Sequence, residues 1–553
     1  MLGLLGGLGL GLAAKGLLDR GNPADIWRDW LTASHPPEAL SLPSASTRAR
    51  VAVGYIPGAT GYDADFPFDP VERYPEYPHA EQVAGLPNQA YSLLREALRT
   101  WHPEGFGEDG WNPLEGTIRP GDTVAIKPNL VWEPGWDEKR LGLNATHPST
   151  LRAVVDYVFK ACGATGRILI CEGTATASQW PQVVRVARLD ELANHLRRDH
   201  GVPVEIVNLN DVPREKALLV QLRERSMLAP LAGRTFFDLH NQPDSHTRRF
   251  GLGSYYVAPQ PLEADAVISL AQMKIHRATG VTLAMKNLFG IIPSWDGPYG
   301  DNILKDVPHY TDIEAAGGPR TLYLENDTTW RTAVDLNHIL LYADARGGLQ
   351  ERRQRRYLAI VDGLVAAGRD MFNPDPLPLG TLVVGDEPVS VDTVASRIMG
   401  FDPRKVRSVA WALGAVDPDL GPAAPSAIDV QVGGAGDLSE VSDGSRIVTP
   451  EMQAYPWRGH LEADDFAPPE VVQLRVASGQ VQAVLRDRSG VAFARLVGAR
   501  GGQPVALELQ LADGTPHEGE WRGQLPLGFP APESLTLEAG DFLLNVHRET
   551  ASP

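Results

Sequence analysis

The chain has 553 residues, too many for one hydrophobic core, and its 43% apolar and 22% charged residues are typical of a globular protein of two or three domains. The net charge of −18 excludes a general nucleic-acid-binding protein, which needs a basic surface. The basic run ERRQRR at 351–356 is short, and we interpret it as a solvated helix end. The two cysteines, Cys162 and Cys171, form no C-x-x-C motif, so we expect two buried thiols and no iron–sulfur cluster or structural zinc.

The N-terminal segment, residues 1–21 (MLGLLGGLGLGLAAKGLLDRG), is uncharged as far as Lys15. This uncharged run is shorter than the roughly 20 residues that span a membrane, and it lacks the basic start and the cleavage site of a secretory signal. Three interpretations stay open: a clipped signal sequence, a weak membrane anchor or a loosely packed helix. We expect export or a cell-envelope location, with weak membrane association through this segment, somewhat more than a cytoplasmic one. Residues 22–48 are predicted to be a linker.

Apolar strands and helices then alternate along the chain. Strands are predicted at RVAVGYI, TVAIKPNLV, RILICEG, VEIVNLND, DAVISLAQMK, RYLAIVDG and GTLVVGD, and helices at NQAYSLLREALRTW, STLRAVVDYVFKACG, LDELANHLRRDHG and VSVDTVASRIMG. In the second helix, Ser149 or Thr150 is the predicted N-cap and Gly163 the stop signal. Near-continuous Val, Ile and Leu runs indicate strands covered on both faces. The pattern predicts an α/β domain over 49–450, with a three-layer, mostly parallel sheet.

The chain changes character after about residue 450. Short alternating strands follow one another, separated by Ser-Gly, Gly-Gly and Asp-Gly turns, without a helix signal. We therefore predict a small antiparallel all-β domain at 466–553.

Polar residues follow the predicted strands directly, where ligands bind in open parallel sheets. They are Lys127 and Asn129, Glu172, Asn208, Asn210 and Asp211, Lys274 and His276, Asp362, and Asp386. Because the carboxyl ends of parallel strands meet at one sheet edge, we predict that these side chains share a cleft.

The segment QMKIHRATGVTLAMKNLFGIIP at 272–293 is mostly apolar but contains several cationic residues. Read as a helix, GVTLAMKNLFG places Thr282 and Lys286 on one face. Lys274 and Lys286, together with Lys127, are predicted to surround a carboxylate or phosphate. The predicted catalytic residues are His276, as the acid or base, with Lys274 and Lys286. The predicted substrate-binding residues are Lys127, Asn129, His147, Thr282 and Asn287. The alternative is that Lys274 and Lys286 form internal salt bridges with Asp362 or Glu172.

The carboxylates allow a second prediction, a site for a hard divalent cation such as Mg²⁺ or Mn²⁺. The candidate ligands are Glu172, Asp362, Asp386 and Asp392, with Asp335 as a further candidate. The helix dipole alone also accounts for an acidic side chain at Asp392. His147, which precedes Pro148, is equally well interpreted as a turn residue.

Several of these motifs together resemble an uncharacterised family, domain of unknown function 362. They are VAIKPNLV, ATHPSTLRAVVDYVFKACGATGRILICEG, KIHRATGVTLAMKNLFGIIP, IVDGL and VVGDEPVSVDTVASRIMGFDP, in the expected order between about 50 and 440. The resemblance implies an α/β fold and a bacterial or archaeal source, but no established reaction. It also implies that the polar motif residues are Lys127, Asn129, Thr146, Pro148, Glu172, Lys274, His276, Lys286, Asn287, Asp362, Asp386 and Asp392. Some relatives carry ferredoxin-like cysteine clusters or a twin-arginine signal, and this sequence has neither.

Three hypotheses for function follow. The first is an enzyme, an isomerase, lyase or hydrolase, that acts on a small anion. The second is a non-catalytic ligand-binding or scaffold module of the cell envelope, whose terminal β domain contacts a partner. The third is a purely structural role, with each charge locked in an internal pair. The sequence leaves the oligomeric state open.

Overall fold

The computed structural model describes residues 49–551. It leaves out the gaps 63–64, 80–82, 84–86, 134, 177–178, 232–245, 296–301, 306, 310–325, 369–373, 414–419, 423–424, 435–437, 439–456, 458–459, 501–502, 527 and 531–534. The N-terminal segment and the predicted linker thus lie outside the described residues. Within the described part, no helix combines the length and the apolar character needed to cross a membrane.

A ten-stranded mixed sheet forms the centre of the larger domain. Its strands are β1 (Ala49–Tyr55), β2 (Thr123–Pro128), β3 (Arg167–Glu172), β4 (Val204–Asn208), β7 (Ala266–His276), β8 (Gly280–Thr282), β9 (Arg356–Gly368), β10 (Asp375–Leu377), β11 (Thr381–Gly385) and β12 (Ile428–Gly433). Eight of them run in the order β12-β1-β11-β9-β7-β2-β3-β4, and β8 and β10 pair with β7 and β9. Neighbours on this path are parallel except that β11 is antiparallel to both β1 and β9. The predicted mostly parallel α/β sheet is confirmed.

Helices cover both faces of this sheet. They are α1 (Gln89–Trp101), α2 (Pro148–Cys162), α3 (Trp180–Val186), α4 (Leu189–His200), α5 (His246–Phe250), α6 (Pro259–Glu263), α7 (Ala284–Asn287), α8 (Thr329–Tyr342), α9 (Pro388–Ile398) and α10 (Arg407–Ala412). One hydrophobic core packs α1 to α4 against the sheet, and a second packs α7 to α10 against the opposite face. The arrangement has three layers. The strands Leu218–Gln221 (β5) and Ser254–Val257 (β6) form a separate two-stranded sheet.

Side-chain caps and a glycine mark the ends of α1 and α2, and one of these caps differs from the predicted one. Asn88 caps α1, because its side chain accepts a hydrogen bond from the Tyr91 amide at 3.1 Å. Gly163 ends α2 with a positive φ of 69°, as predicted. The N-cap of α2, however, is His147 and not Ser149 or Thr150, since the Nδ1 atom of His147 accepts from the Ser149 amide. The proline that follows His147 supplies the first helical residue, which moves the helix start forward.

Two segments differ from the predicted elements. ERRQRR at 351–356 is a bend that leads into β9 and not a helix end. The predicted helix over 280–290 is split into the strand β8, the single turn α7 and a 3₁₀ turn at Leu288–Ile291. Gly280 has a φ of +83° and opens the return strand of a hairpin with β7, so the chain reverses where a helix was expected. Thr282 and Lys286 therefore do not share a helix face.

The C-terminal region is all-β, which confirms that part of the predicted fold class. The strands are β13 (Glu470–Ala477), β14 (Gln480–Arg486), β15 (Val491–Arg500), β16 (Gln503–Glu508), β17 (Gln510–Thr515), β18 (Glu518–Gln524), β19 (Thr536–Asp541) and β20 (Val546–Thr550). They form two antiparallel four-stranded sheets around one core. Arg397 of α9 joins this region to the α/β domain by donating to the Leu543 carbonyl at 2.9 Å and the Asn545 side chain at 2.7 Å.

Candidate active site at the carboxyl ends of β2, β3 and β7

A buried ion pair anchors the site at the ends of β2 and β3. The ammonium of Lys127 donates to Oε2 of Glu172 at 2.7 Å, to the Pro128 carbonyl at 2.6 Å and to Oδ1 of Asn287 at 3.2 Å. These three bonds use every donor of that ammonium. Glu172 also accepts from the Leu130 amide at 3.0 Å. Lys127 and Glu172 therefore stabilise each other, and Lys127 keeps no donor for a ligand.

Gly290 closes over this ion pair. A Cβ atom added there would lie 1.7 Å from Oε1 of Glu172 and 2.6 Å from Nζ of Lys127. The backbone after α7 approaches the pair closely, and Gly173 reinforces this contact by donating its amide to the Gly290 carbonyl at 2.8 Å. Only a glycine fits this position without displacing the pair.

Lys274 extends β7 into the same region. Its ammonium donates to Oδ1 of Asn129 at 2.7 Å and to the Asn144 carbonyl at 2.6 Å, which leaves one donor. Burial, opposed by the negative charge of Glu172 and assisted by the positive charge of Lys127, lowers the pKa of Lys274 to about 7. Lys274 is thus poised to gain a full charge when an anion arrives.

The two predicted amide ligands are committed to the framework. Asn287 donates to the Lys127 carbonyl at 2.9 Å and the Ser269 hydroxyl at 3.1 Å, and its Oδ1 also accepts from Asn129. Asn129 in turn uses its oxygen for Lys274. Both side chains are buried, at 2% and 5% exposure. The structure therefore uses Lys127, Asn129 and Asn287, which were predicted to bind substrate directly, to hold the site in place.

Lys286 differs from the other lysines of the site. Its side chain is half-buried, and among the residues that the structure describes its ammonium has no hydrogen-bond or salt-bridge partner. It lies 5.2 Å from the centre of the Phe289 ring. Burial lowers the pKa of Lys286 well below its ordinary value, and the positive charges of Lys274, Lys305 and Lys127 lower it further. Within the part of the chain that the structure describes, Lys286 is an amine without a counter-ion.

The backbone around Lys286 is fixed from α9 and α8. The carboxylate of Asp392 accepts from the amides of Ala284 and Met285 at 2.8 and 3.0 Å, at the start of α7. Asn337 donates to the Met285 carbonyl at 2.9 Å. Asp392 thus caps the turn that carries Lys286, and burial raises its pKa to about 7.

His276 lies two residues beyond Lys274 on the same face of β7. Its Nδ1 accepts from the Ala278 amide at 3.1 Å, which places the imidazole proton on Nε2. Burial lowers its pKa well below 6.5, and Lys286 is the charge that adds most to this effect. The ring was expected to titrate near neutral pH; instead it is neutral at pH 7 and offers Nε2–H as a donor.

Thr282 and Lys305 complete the cluster. Thr282 pairs with Lys274 across the β7–β8 hairpin, so their side chains lie side by side on one face. The Thr282 hydroxyl is buried and finds no hydrogen-bond partner among the described residues. Lys305 donates to the carbonyls of Gly173 and Phe289 at 2.7 and 3.0 Å. A polar ligand beside Lys274 would supply the hydrogen-bond partner that this buried hydroxyl needs.

The four predicted metal ligands do not come together. Glu172 holds Lys127, and Asp392 caps α7. Asp362 accepts from the Thr150 hydroxyl at 2.6 Å and the Leu364 amide at 3.0 Å. The exposed Asp386 follows β11, and because β11 runs antiparallel to β9, it lies at the opposite edge of the sheet. The further candidate, Asp335, binds the Ser226 and Tyr255 hydroxyls at 2.6 Å each.

Three other carboxylates do approach one another. Within the described residues, Asp465, Asp487 and Asp541 are the group whose oxygens lie within 4.8 Å of each other. Asp541 accepts from the side chain of Asn545 and the hydroxyl of Ser489, and the latter hydroxyl also bonds Asp487. The cluster lies in the C-terminal β region, away from the predicted ligands.

His147 is a structural residue by its contacts. Besides capping α2, its ring stacks on Tyr62 at a centroid distance of 4.4 Å. Burial lowers its pKa to about 3, so the ring is neutral at pH 7. These contacts agree with the interpretation as a turn residue before Pro148, and substrate binding by His147 stays a prediction.

Sequence reasoning missed two residues of the site. Lys305 follows no predicted strand, although two apolar residues precede it directly in NILKD. His309 lies with its ring centre 5.6 Å from that of His276 and 4.6 Å from that of Phe289. Both residues belong to a segment whose apolar residues follow no periodic pattern. The basic character of the two side chains was therefore the sequence signal for a place beside the other cations.

The comparisons with known proteins support the family suggested by the motifs. The family model described as "Domain of unknown function (DUF362)" matches residues 124–229 and 224–397. The α/β domain belongs to this family. The matched residues include Lys127, Glu172, Lys274, His276 and Lys286, and span less of the chain than the motifs do.

The other comparisons add no function. No curated protein matches the sequence. A crystal structure of an engineered protein, a structural-genomics target, aligns at 11% identity over 88% of this chain and 99% of its own. The TM-score of 0.12 is too low to support an inference about fold.

Proposed function

We propose that this DUF362 protein is an enzyme that binds a small carboxylate- or phosphate-bearing substrate at the carboxyl ends of β2, β3 and β7. One observation carries the proposal. Within the described residues, Lys127, Lys274 and Lys286 lie near one carboxylate, Glu172, which is paired with Lys127, and the positive charges of Lys274, Lys305 and Lys127 lower the pKa of Lys286. A buried excess of positive charge is costly unless an anion offsets it.

The residues divide into two roles in this proposal. The hydrogen-bonded set Lys127, Glu172 and Asn287 forms the rigid floor. Lys274 and Lys286 donate hydrogen bonds to the anion, because within the described residues Lys274 keeps one donor and Lys286 keeps all of its own. Prearranged cations in a dry site stabilise negative charge that develops during a reaction, without the cost of reorganising solvent.

His276 is the proton-handling residue of the proposed mechanism. A neutral imidazole with its proton on Nε2 can donate a hydrogen bond to a substrate oxygen that becomes an oxyanion during the reaction. An anion bound beside Lys286 reduces the positive field on the ring and raises its pKa toward the range useful for proton transfer. The substrate thereby activates the acid–base residue.

The internal salt-bridge alternative finds little support in these contacts. Lys274 bonds two neutral oxygens, and Asp362 bonds a hydroxyl and an amide. Glu172 is the one acidic partner at the site within the described residues, and Lys127 occupies it.

The test is ligand-dependent thermal stabilisation of the full chain. Inorganic phosphate, succinate, citrate and pyruvate are each added over a concentration series, with and without Mg²⁺ or Mn²⁺. A native-state ligand raises the melting temperature in proportion to RT ln(1 + [L]/Kd). We expect stabilisation by at least one anion, lost in Lys286→Met and kept in the exposed control Lys139→Met. A flat panel in the wild-type protein would refute the proposal.

A further inference from the structure

The four lysines of the site are not equivalent. The ammonium groups of Lys127, Lys274 and Lys305 are each held by oxygens at 2.6–3.2 Å. An anion needs only such fixed cations to be bound. Lys286 adds a different group, an amine with no described hydrogen-bond or salt-bridge partner, on a turn whose backbone Asp392 and Asn337 fix.

We propose that Lys286 is a nucleophile that forms an imine with a substrate carrying a carbonyl group next to its carboxylate or phosphate. This inference rests on the proposed function and names the substrate class and the covalent step. The observations that support it are the side chain of Lys286, which has no hydrogen-bond or salt-bridge partner among the described residues, the flanking cations and the donor Nε2–H of His276.

The surroundings suit an amine nucleophile. A lysine attacks a carbonyl only when it is neutral, and burial near other cations is the established way to keep it neutral at pH 7. Lys274 and Lys305 supply those cations, and the burial of the Lys286 amine supplies the desolvation. Lys127 lacks this freedom, because three oxygen acceptors already occupy its ammonium group.

The step balances without an oxidant or a reductant. The lone pair of Nζ attacks the carbonyl carbon, and Nε2–H of His276 hydrogen-bonds the oxygen that becomes negative. The two hydrogens of the amine then leave with that oxygen as one water molecule, and a C=N bond replaces the C=O bond. The bound carboxylate or phosphate stays on Lys274, which positions the carbonyl carbon at Lys286.

Reductive trapping tests the inference directly. The full chain is incubated at pH 7 with pyruvate, 2-oxoglutarate or dihydroxyacetone phosphate, reduced with borohydride, digested and analysed by mass spectrometry. We expect the reduced adduct predominantly on Lys286 and not on the exposed Lys139, because the lowered pKa of Lys286 enlarges its neutral, nucleophilic fraction. Lys139→Arg is the control that keeps the adduct.

Lys286→Arg separates the two proposals. It keeps a positive charge but cannot form an imine, so we expect no adduct while lactate or inorganic phosphate still binds in calorimetry. Wild-type protein that binds these anions but gives no adduct with any of the three probes overturns the imine and leaves the anion site standing. Equal labelling of Lys286 and Lys139 overturns it as well. Failure of both binding and labelling overturns both proposals.

Discussion

Exchanging Lys127 and Lys286 separately for methionine should have very unequal consequences for stability. Lys127→Met leaves Glu172 buried, at 3% exposure, with the Leu130 amide as its remaining partner. Removing one member of a buried pair costs about 3–5 kcal/mol, because the other charge stays desolvated. Lys286→Met removes an amine that has no described partner, so no acceptor is left unsatisfied, and the free energy of unfolding should change by no more than about 1 kcal/mol.

Urea unfolding followed by far-ultraviolet circular dichroism measures both variants, with Lys139→Met as the exposed control. An equal loss of several kcal/mol in Lys286→Met would refute the reasoning, because it would show that Lys286 belongs to an internal ion pair.

Three further predictions concern charge, packing and the domain contact. The affinity for phosphate should fall as the pH rises through about 7, because Lys274 then loses the proton that the anion stabilises. Calorimetry in buffers of different ionisation enthalpy should therefore show proton uptake on binding at pH 8. Gly290→Ala should abolish this binding, since the added methyl group overlaps Glu172, whereas Gly116→Ala, with open space around the new methyl group, should bind normally by the same calorimetry. Arg397→Met should expose the segment after residue 541 to limited proteolysis, because it removes the bonds to Leu543 and Asn545; an unchanged cleavage pattern would contradict this role.

The strand-end rule found the centre of the site for a physical reason. Lys127, Glu172 and Lys274 follow β2, β3 and β7, which are parallel neighbours, so their carboxyl ends meet. The same rule failed for Asp386, because the residues of an apolar strand do not show whether the strand runs parallel or antiparallel to its neighbours. That β11 runs antiparallel is decided by its pairing with β1 and β9, which involves residues far away in the sequence.

The segment after Lys274 shows a second limit. An apolar run such as GVTLAMKNLFG satisfies both a helix and a buried strand, and its length did not decide between them. Gly280 decides, since its left-handed backbone allows the reversal that pairs Thr282 with Lys274. The polar composition was therefore predictable, but which polar groups bind one another and which stay available depended on distances that only the folded chain provides.

The pairing of β7 links the chemistry of the site to the correctness of the fold. Ala271 and Gln272 pair with Val361 and Asp362 of β9, and Lys274 and His276 lie beyond them on one face. A slip of one residue would turn both polar side chains away and present the apolar residues between and before them. A ligand that needs both cannot bind the slipped form, and by mass action it would stabilise only chains in the native register. Substrate binding would then favour the chains in which β7 has its native register in the sheet.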